Sequence, residues 1–303
     1  MSQVCCHADL SRHLFSHQVD MNNTVEPEPV YAAVFGCIMV LGLPLNAVSL
    51  WILLRQHSLK SPNVVFMVNL AISDLLLAIS LPTRVYFYAT GTWPLGPSVC
   101  VLTTVIFRKN ISSSAILITF ICVDRLLAVV YPMRSRHLRT SSNAWKAVAL
   151  VWLFLMLMNI SRSVSMSRAL KNCTVPVCFD YHPCWAPYKP AWVYFYVVLV
   201  FIMLAVNVVC TTLVSWTLRS HLTDSAKVSN KVNVMLIFVM NLVMFTICFI
   251  PLYVGLLTIK GTVIRPLVCL ATMNCCLDPL LYYFSLDNFW KKKEDVDLAT
   301  REE

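Results

Sequence analysis

Seven stretches of this sequence run for roughly 20 residues or more with few charges, and a chain built that way has few folds open to it. The runs extend from about Val30 to Leu54, Val64 to Tyr88, Val99 to Val130, Ala144 to Val164, Ala191 to Leu218, Val232 to Leu257 and Val263 to Phe284. Each is long enough to cross a bilayer as a helix, and the third is long enough to cross at a steep tilt. The fourth is the weakest, because Asn159-Ile160-Ser161-Arg162-Ser163 turns its outer end polar. The chain is 58% hydrophobic and 13% charged, with a mean hydropathy of +0.69. A soluble domain has to keep much of its exterior polar and cannot accommodate that balance. The expected fold is all-α, a seven-transmembrane helix bundle. Residues 1–29 precede the bundle, 30–284 form it, and 285–303 follow it.

Residues Met1 to Asp20 are mixed and polar, with no apolar core of a signal peptide, so the first span is expected to start insertion itself. The net charge of +9 would suit a nucleic-acid binder, but its distribution excludes one. Basic residues fall in the short connections: Arg55, His57 and Lys60 after the first span, and Arg134, Arg136, His137, Arg139 and Lys146 after the third. Arg219, Lys227 and Lys231 follow the fifth, and Lys291, Lys292 and Lys293 the seventh. Alternating spans put all four groups on one side, and excess Lys and Arg mark the cytoplasm. The chain is therefore expected in the plasma membrane with its amino terminus outside. Asn22 and Asn172 then stand in outward glycosylation sequons, Asn22-Asn23-Thr24 and Asn172-Cys173-Thr174. Asn110-Ile111-Ser112 matches by chance, since it lies within a span.

Of thirteen cysteines, Cys37, Cys122, Cys210, Cys248, Cys275 and Cys276 lie in apolar runs and act as small hydrophobes. Cys100, Cys173, Cys178 and Cys184 lie beside outer loops, where disulfides persist. Polar groups within spans are costly and mark candidate sites. Asn46, Asp74, Asn110, Ser114, Asn207, Asn241, Asn274 and Asp278 are such groups. Asp74, Asn110, Ser114, Asn274 and Asp278 converge if the helices bundle. They could hold a small hard cation such as sodium, or form an interhelical hydrogen-bond network stabilising by about 1 kcal/mol per bond. Asp124-Arg125-Leu126 closes the third span; it is either an end-of-helix ion pair or a switch in which Asp124 holds and releases Arg125. Pro82, Pro251 and Pro279 each remove a helical hydrogen bond and favour a kink.

These residues together resemble the rhodopsin-like G-protein-coupled receptors, over nearly the whole chain. Asn46, Leu70-Ala71-Ile72-Ser73-Asp74, Trp152, Asp124-Arg125-Leu126 (D-R-Y with Leu for Tyr), Cys248-Phe249-Ile250-Pro251 (C-W-x-P with Phe for Trp) and Asp278-Pro279-Leu280-Leu281-Tyr282 (the D-P-x-x-Y form of N-P-x-x-Y) carry the likeness. It implies a Cys100–Cys178 disulfide and a switch built from Asp124, Arg125, Phe245, Phe249, Pro251, Pro279 and Tyr282. Phe289 and Trp290 followed by lysines look like the family's short amphipathic eighth helix, which with a tail takes up residues 285–303. Within the family, Leu81-Pro82-Thr83-Arg84, Trp93-Pro94-Leu95-Gly96, Val130-Tyr131-Pro132, His137-Leu138-Arg139 and the run Asn274 to Phe284 are similar to the nucleotide and lysophosphatidic acid receptor branch, types 5 and 6 of the latter above all. Similar receptors use a basic residue at the outer end of the second span for an anionic head group. Arg84 sits there, and a guanidinium grips phosphate or carboxylate with two parallel bonds. Arg108 and Arg162, with Lys189, Lys260 and Arg265, extend a basic funnel; the alternative for each is snorkelling to the interface.

The chain departs from the family in three further places. Met203 replaces the kink proline of the fifth span, and Thr211 stands near the position of a switch tyrosine. The interval from Pro251 to Asp278 leaves almost no residues for a third outer loop at about 1.5 Å per residue. Lys260-Gly261 makes the whole turn, or the chain is shortened there and the pocket incomplete. Pairing of Cys5 or Cys6 with Cys269 is doubtful for the same reason, and the pairing of Cys173 and Cys184 stays open. The expectation is a receptor for an anionic ligand, a lysophosphatidate-like lipid or a nucleotide, that acts on a heterotrimeric G protein through Arg125. A poorly coupling decoy is the alternative. A carrier would need polar stripes and an internal repeat, and an enzyme a catalytic motif such as G-x-S-x-G, H-E-x-x-H or Walker A; neither pattern is present.

Overall fold

The computed structural model describes residues 26–172, 178–179, 191–220, 228–258 and 264–285. Among them are nine helices: α1 (Pro29–Gln56), α2 (Pro62–Thr90), α3 (Gly96–Val130), α4 (Ser141–Asn172), α5 (Ala191–Ser220), α6 (Val228–Cys248), α7 (Ile250–Thr258), α8 (Arg265–Thr272) and α9 (Asn274–Ser285). The expected eighth amphipathic helix, Asn22, Lys189, Lys260-Gly261, and Cys5, Cys6, Cys173 and Cys184 lie outside the described residues, as does the side chain of Asn172.

The helix starts follow local chemistry. Pro29, Pro62 and Pro97 stand in the first turns of α1, α2 and α3, where an N–H has no helical partner to lose. α2 stops at Gly91, whose φ of 66° suits glycine and whose N–H donates to the Phe87 carbonyl at 2.8 Å.

Among the described residues six spans are long and apolar enough to cross a membrane: α1, α2, α3, α4 as far as Arg168, α5, and α6 with α7 taken together. The sixth is interrupted at Phe249, because Pro251 has no N–H for the carbonyl four residues earlier. The seventh expected run is divided at Met273 into α8 and α9, and neither half alone spans a bilayer. Its interruption falls where Asn274, Asp278 and Pro279 crowd into little more than one turn. Pro279 leaves the Cys275 carbonyl without its helical donor, and Asn46 Nδ2 of α1 supplies one at 2.7 Å. The helices meet closely here: a Cβ on Gly42 would lie 3.2 Å from Cys275 Sγ.

α3 runs through the middle of the bundle, touching α2, α4, α5 and α6, while α9 closes the ring against α1, α2 and α6. α2 is buried around most of its circumference, whereas α1, α4 and α5 leave whole apolar sides uncovered, Trp51, Leu157 and Trp216 among them. Lipid is the medium that accepts such surfaces, and the protein is a multi-pass membrane protein.

Candidate functional site

Arg84 lies two residues beyond Pro82 in α2 and is only 6% exposed. Its guanidinium carbon is 3.7 Å from the centroid of the Phe107 ring, 4.2 Å from that of Phe179 and 5.7 Å from that of Phe35. α3 supplies Phe107 and α1 supplies Phe35. Phe179 arrives from the second outer connection, directly after Cys178, which is disulfide-bonded to Cys100 at the start of α3. Phe179 has φ 66°, a left-handed conformation that is costly for a bulky side chain. The disulfide on one side, and edge contacts of its ring with Phe87 and Trp93, hold it there. Phe107, Phe35 and Phe179 are site residues that sequence reasoning missed. The one signal available was the position of Phe179 beside a disulfide cysteine.

Arg108 lies deeper on α3, within Coulombic reach of both Arg84 and Arg162. The Arg162 guanidinium carbon is 5.8 Å from the Tyr196 ring centroid, and the hydroxyls of Tyr196 and Tyr253 lie beside it. Three of the expected cations therefore gather at the outer end of the bundle among aromatic rings. Arg265 does not join them as a free charge: at the start of α8 it forms an ion pair with Glu28. The Glu28 N–H donates to the Tyr88 carbonyl at 2.7 Å, so this pair ties the entry to α1 onto α2 and α8.

Halfway down, the five expected polar residues come together. Asn110 Nδ2 donates to Asp74 Oδ1 at 2.8 Å and to Ser73 Oγ at 3.2 Å, and Asn274 Nδ2 donates to Asp278 Oδ2 at 2.7 Å. Asp74 and Asp278 are both fully buried and their carboxyls face each other. Asp74 Oδ2, Asp278 Oδ1, Ser114 Oγ and Asn274 Oδ1 have no hydrogen-bond partner among the described residues. An oxygen-only set with two carboxylates and several unsatisfied oxygens fits a small hard cation. The Tyr282 hydroxyl, one turn along α9 from Asp278, is buried and also without a partner among the described residues.

At the inner end, Asp124 takes its hydrogen bonds from Arg139 in the second inner connection, from Nε at 2.9 Å and from Nη2 at 3.2 Å, rather than from the adjacent Arg125. Residues next to each other on a helix point in different directions. Arg125 instead faces Asn63 at the start of α2; with the Asn63 amide oxygen turned toward it, Arg125 Nε donates at 3.2 Å. Phe245, one turn before the α6–α7 break, and Phe249, at it, pack with tilted rings whose centroids are 5.3 Å apart. A further polar chain crosses three helices. Asn207 Nδ2 of α5 donates to Thr119 Oγ1 of α3 at 3.0 Å, and Asn241 Nδ2 of α6 donates to Asn207 Oδ1 at 3.2 Å. Thr211 Oγ1, in the place expected for a switch tyrosine, donates to the Asn207 carbonyl at 2.8 Å.

Comparison with known proteins adds to this geometry. A family model described as 7 transmembrane receptor (rhodopsin family) matches residues 45–282. Lysophosphatidic acid receptor 6 of Gallus gallus is 34% identical over 278 residues, covering 85% of this chain and 90% of that one. Lysophosphatidic acid receptor 4 of Homo sapiens is 34% identical over 279 residues, 86% and 75% of the two chains. A purinoceptor of Gallus gallus is 32% identical over 279 residues, 86% and 77%.

Proposed function

The chain belongs to the rhodopsin family of seven-transmembrane receptors, and on that premise we propose that it is a G-protein-coupled receptor for an extracellular anionic lipid of the lysophosphatidic acid type. The observation that carries this reading is the gathering of buried Arg84 with half-buried Arg108 and Arg162 among aromatic rings. Like charges held together away from water are stabilised by an anion. Three guanidiniums offer a phosphate several charge-assisted bonds, while the rings and the surrounding apolar wall accept an acyl chain. The relatives include proteins named for lysophosphatidic acid and one named as a purinoceptor, so a nucleotide is the second reading.

In this reading the amino terminus faces outward, as the basic inner connections require. The ligand draws the outer ends of α2, α3 and α4 together through its head group. It acts only by binding one arrangement of the bundle more tightly than the other. The present arrangement is closed at the inner end, with Asp124 on Arg139 and α6 tied to α5 through Asn241. The favoured arrangement opens a cleft there for a G protein, with Arg125 leaving Asn63. Asp74 and Asp278 would hold a sodium ion, whose charge would offset theirs and favour the closed form; replacing sodium by an impermeant organic cation should lower the melting temperature of the ligand-free receptor. Equal melting in both salts counts against a sodium site.

The deciding experiment is a dose response with a G-protein dissociation sensor in cells, with surface display verified. Lysophosphatidic acid and nucleotides are run side by side on the wild type and Arg84→Ala. A charge-assisted contact of about 1.5–3 kcal/mol predicts a potency loss of roughly 10- to 150-fold in the variant. A response to nucleotide alone transfers the site to the second reading. Silence toward both from displayed protein removes the anionic-ligand reading and leaves the decoy.

A further inference from the structure

Beside Arg108, which points into the bundle, the next residue of α3 points out of it. Lys109 is partly exposed, and among the described residues the one polar contact of its ammonium is to the sulfur of Met156 on α4, itself half-exposed. The surface around it is the lipid-facing side of the bundle. Leu102, two helical turns before Lys109 on α3, is uncovered, and so are Leu153, Met156, Leu157 and Ile160, which follow one another at helical spacing along one side of α4.

The depth of this charge is what makes it informative. The apolar run of α4 extends from about Ala144 to Val164. At about 1.5 Å per residue, Met156 is about 18 Å of helix from one end and about 12 Å from the other. A cation at that level, beyond the reach of either interface, is costly and calls for an anionic partner. The described residues do not provide one. Among the described residues the only carboxylates within the spans are Asp74, Asp124 and Asp278, all buried inside the bundle and engaged there, and Glu28 is paired with Arg265. A second copy of the bundle therefore has no lipid-facing carboxylate among those residues to offer either. Lipid head groups stay at the interface. A carboxylate carried on another helix can be delivered at any depth.

We propose that the face of α3 and α4 around Lys109 is a docking site for a partner transmembrane helix that carries an Asp or Glu at the middle of the bilayer. The exposed stripe of α4 supplies van der Waals contact, and Lys109 supplies the charge that selects the partner and fixes its register. In hydrocarbon, where apolar surfaces gain nothing by leaving lipid, a matched charge and close packing are what make two helices associate.

The test uses the full-length receptor in phosphatidylcholine vesicles and dye-labelled single-span leucine–alanine peptides bearing a central Glu, a central Leu, or a Glu moved about two helical turns toward one end. Energy transfer between receptor and peptide reports association. The central-Glu peptide is expected to bind wild type at least about tenfold more tightly than the other two, and Lys109→Leu is expected to abolish that preference. Lys109→Gln, read alongside, keeps a polar group, and thermal melts verify that both variants are folded. Equal binding of the three peptides, or a preference that survives in Lys109→Leu, overturns the proposal. So does loss of the preference when a few per cent of oleate or phosphatidate is added, which would assign Lys109 to an anionic lipid.

Discussion

Arg84 illustrates how a single side chain acquires a role from its surroundings. Its position at the outer end of α2 was legible in the sequence, but its setting was not, because Phe35, Phe107 and Phe179 come from distant parts of the chain. An Arg stacked on a ring gains about 0.5–2 kcal/mol depending on desolvation and, more to the point, is held in one orientation. Phe179 reaches Arg84 only by adopting a left-handed backbone next to the disulfide. Function and stability should therefore separate at this residue. Phe179→Gly relieves the backbone and removes the ring, so the melting temperature should stay level or rise while ligand potency falls about 3- to 30-fold. A dose response set beside a thermal melt checks both halves. Parallel loss of potency and stability would make Phe179 a packing residue and no more. Asp124 carries a similar lesson: the sequence offered Arg125 as its neighbour, and folding brought Arg139 instead, from a connection where it reads only as one more positive charge.

Among the elements, the sixth and seventh spans show how breaks in helices are accommodated. Seven apolar runs are visible in the sequence, and Pro251 marks the break in the sixth, whereas Pro82 lies inside an unbroken α2 and Pro279 inside α9, past the break at Met273. What cannot be read from one run is how the carbonyl freed by a proline is satisfied, since its donor sits on another helix. For Pro279 the donor is Asn46, which donates to Cys275 while also bonding Gly42 of its own helix at 3.0 Å. Asn46→Ala should cost about 1–2 kcal/mol by leaving a buried carbonyl unpaired. Pro279→Ala in that background should recover part of the loss, because alanine restores the missing N–H. Thermal melts of the two single variants and the double variant decide it. Strictly additive losses would mean that Asn46 stabilises the bundle by some other route.

For the whole molecule, the pattern of spans, the side carrying basic loops and the mid-membrane acids were all legible, because each depends on residue type and order alone. The links between helices were not. The chain Thr119–Asn207–Asn241 joins α3, α5 and α6, and nothing in the sequence distinguishes those asparagines from others buried in lipid. They tie α6 to the rest of the bundle in its inner half, so loosening them should shift the balance of the entire receptor. Asn241→Leu is expected to raise ligand-independent G-protein activation severalfold at equal surface display. Asn207→Leu should do the same, and the double variant should add little to either. Basal activity unchanged in all three would reduce the chain to static packing.

The carbonyl handed from Pro279 to Asn46 also gives the sequence a direction of travel. A lineage that loses the proline first keeps every backbone group satisfied, and its asparagine becomes dispensable. A lineage that loses the asparagine first passes through a weakened intermediate. The two substitutions are neutral in one order and penalised in the other, so descendants lacking both should trace back through ancestors that kept Asn46 and had already given up Pro279.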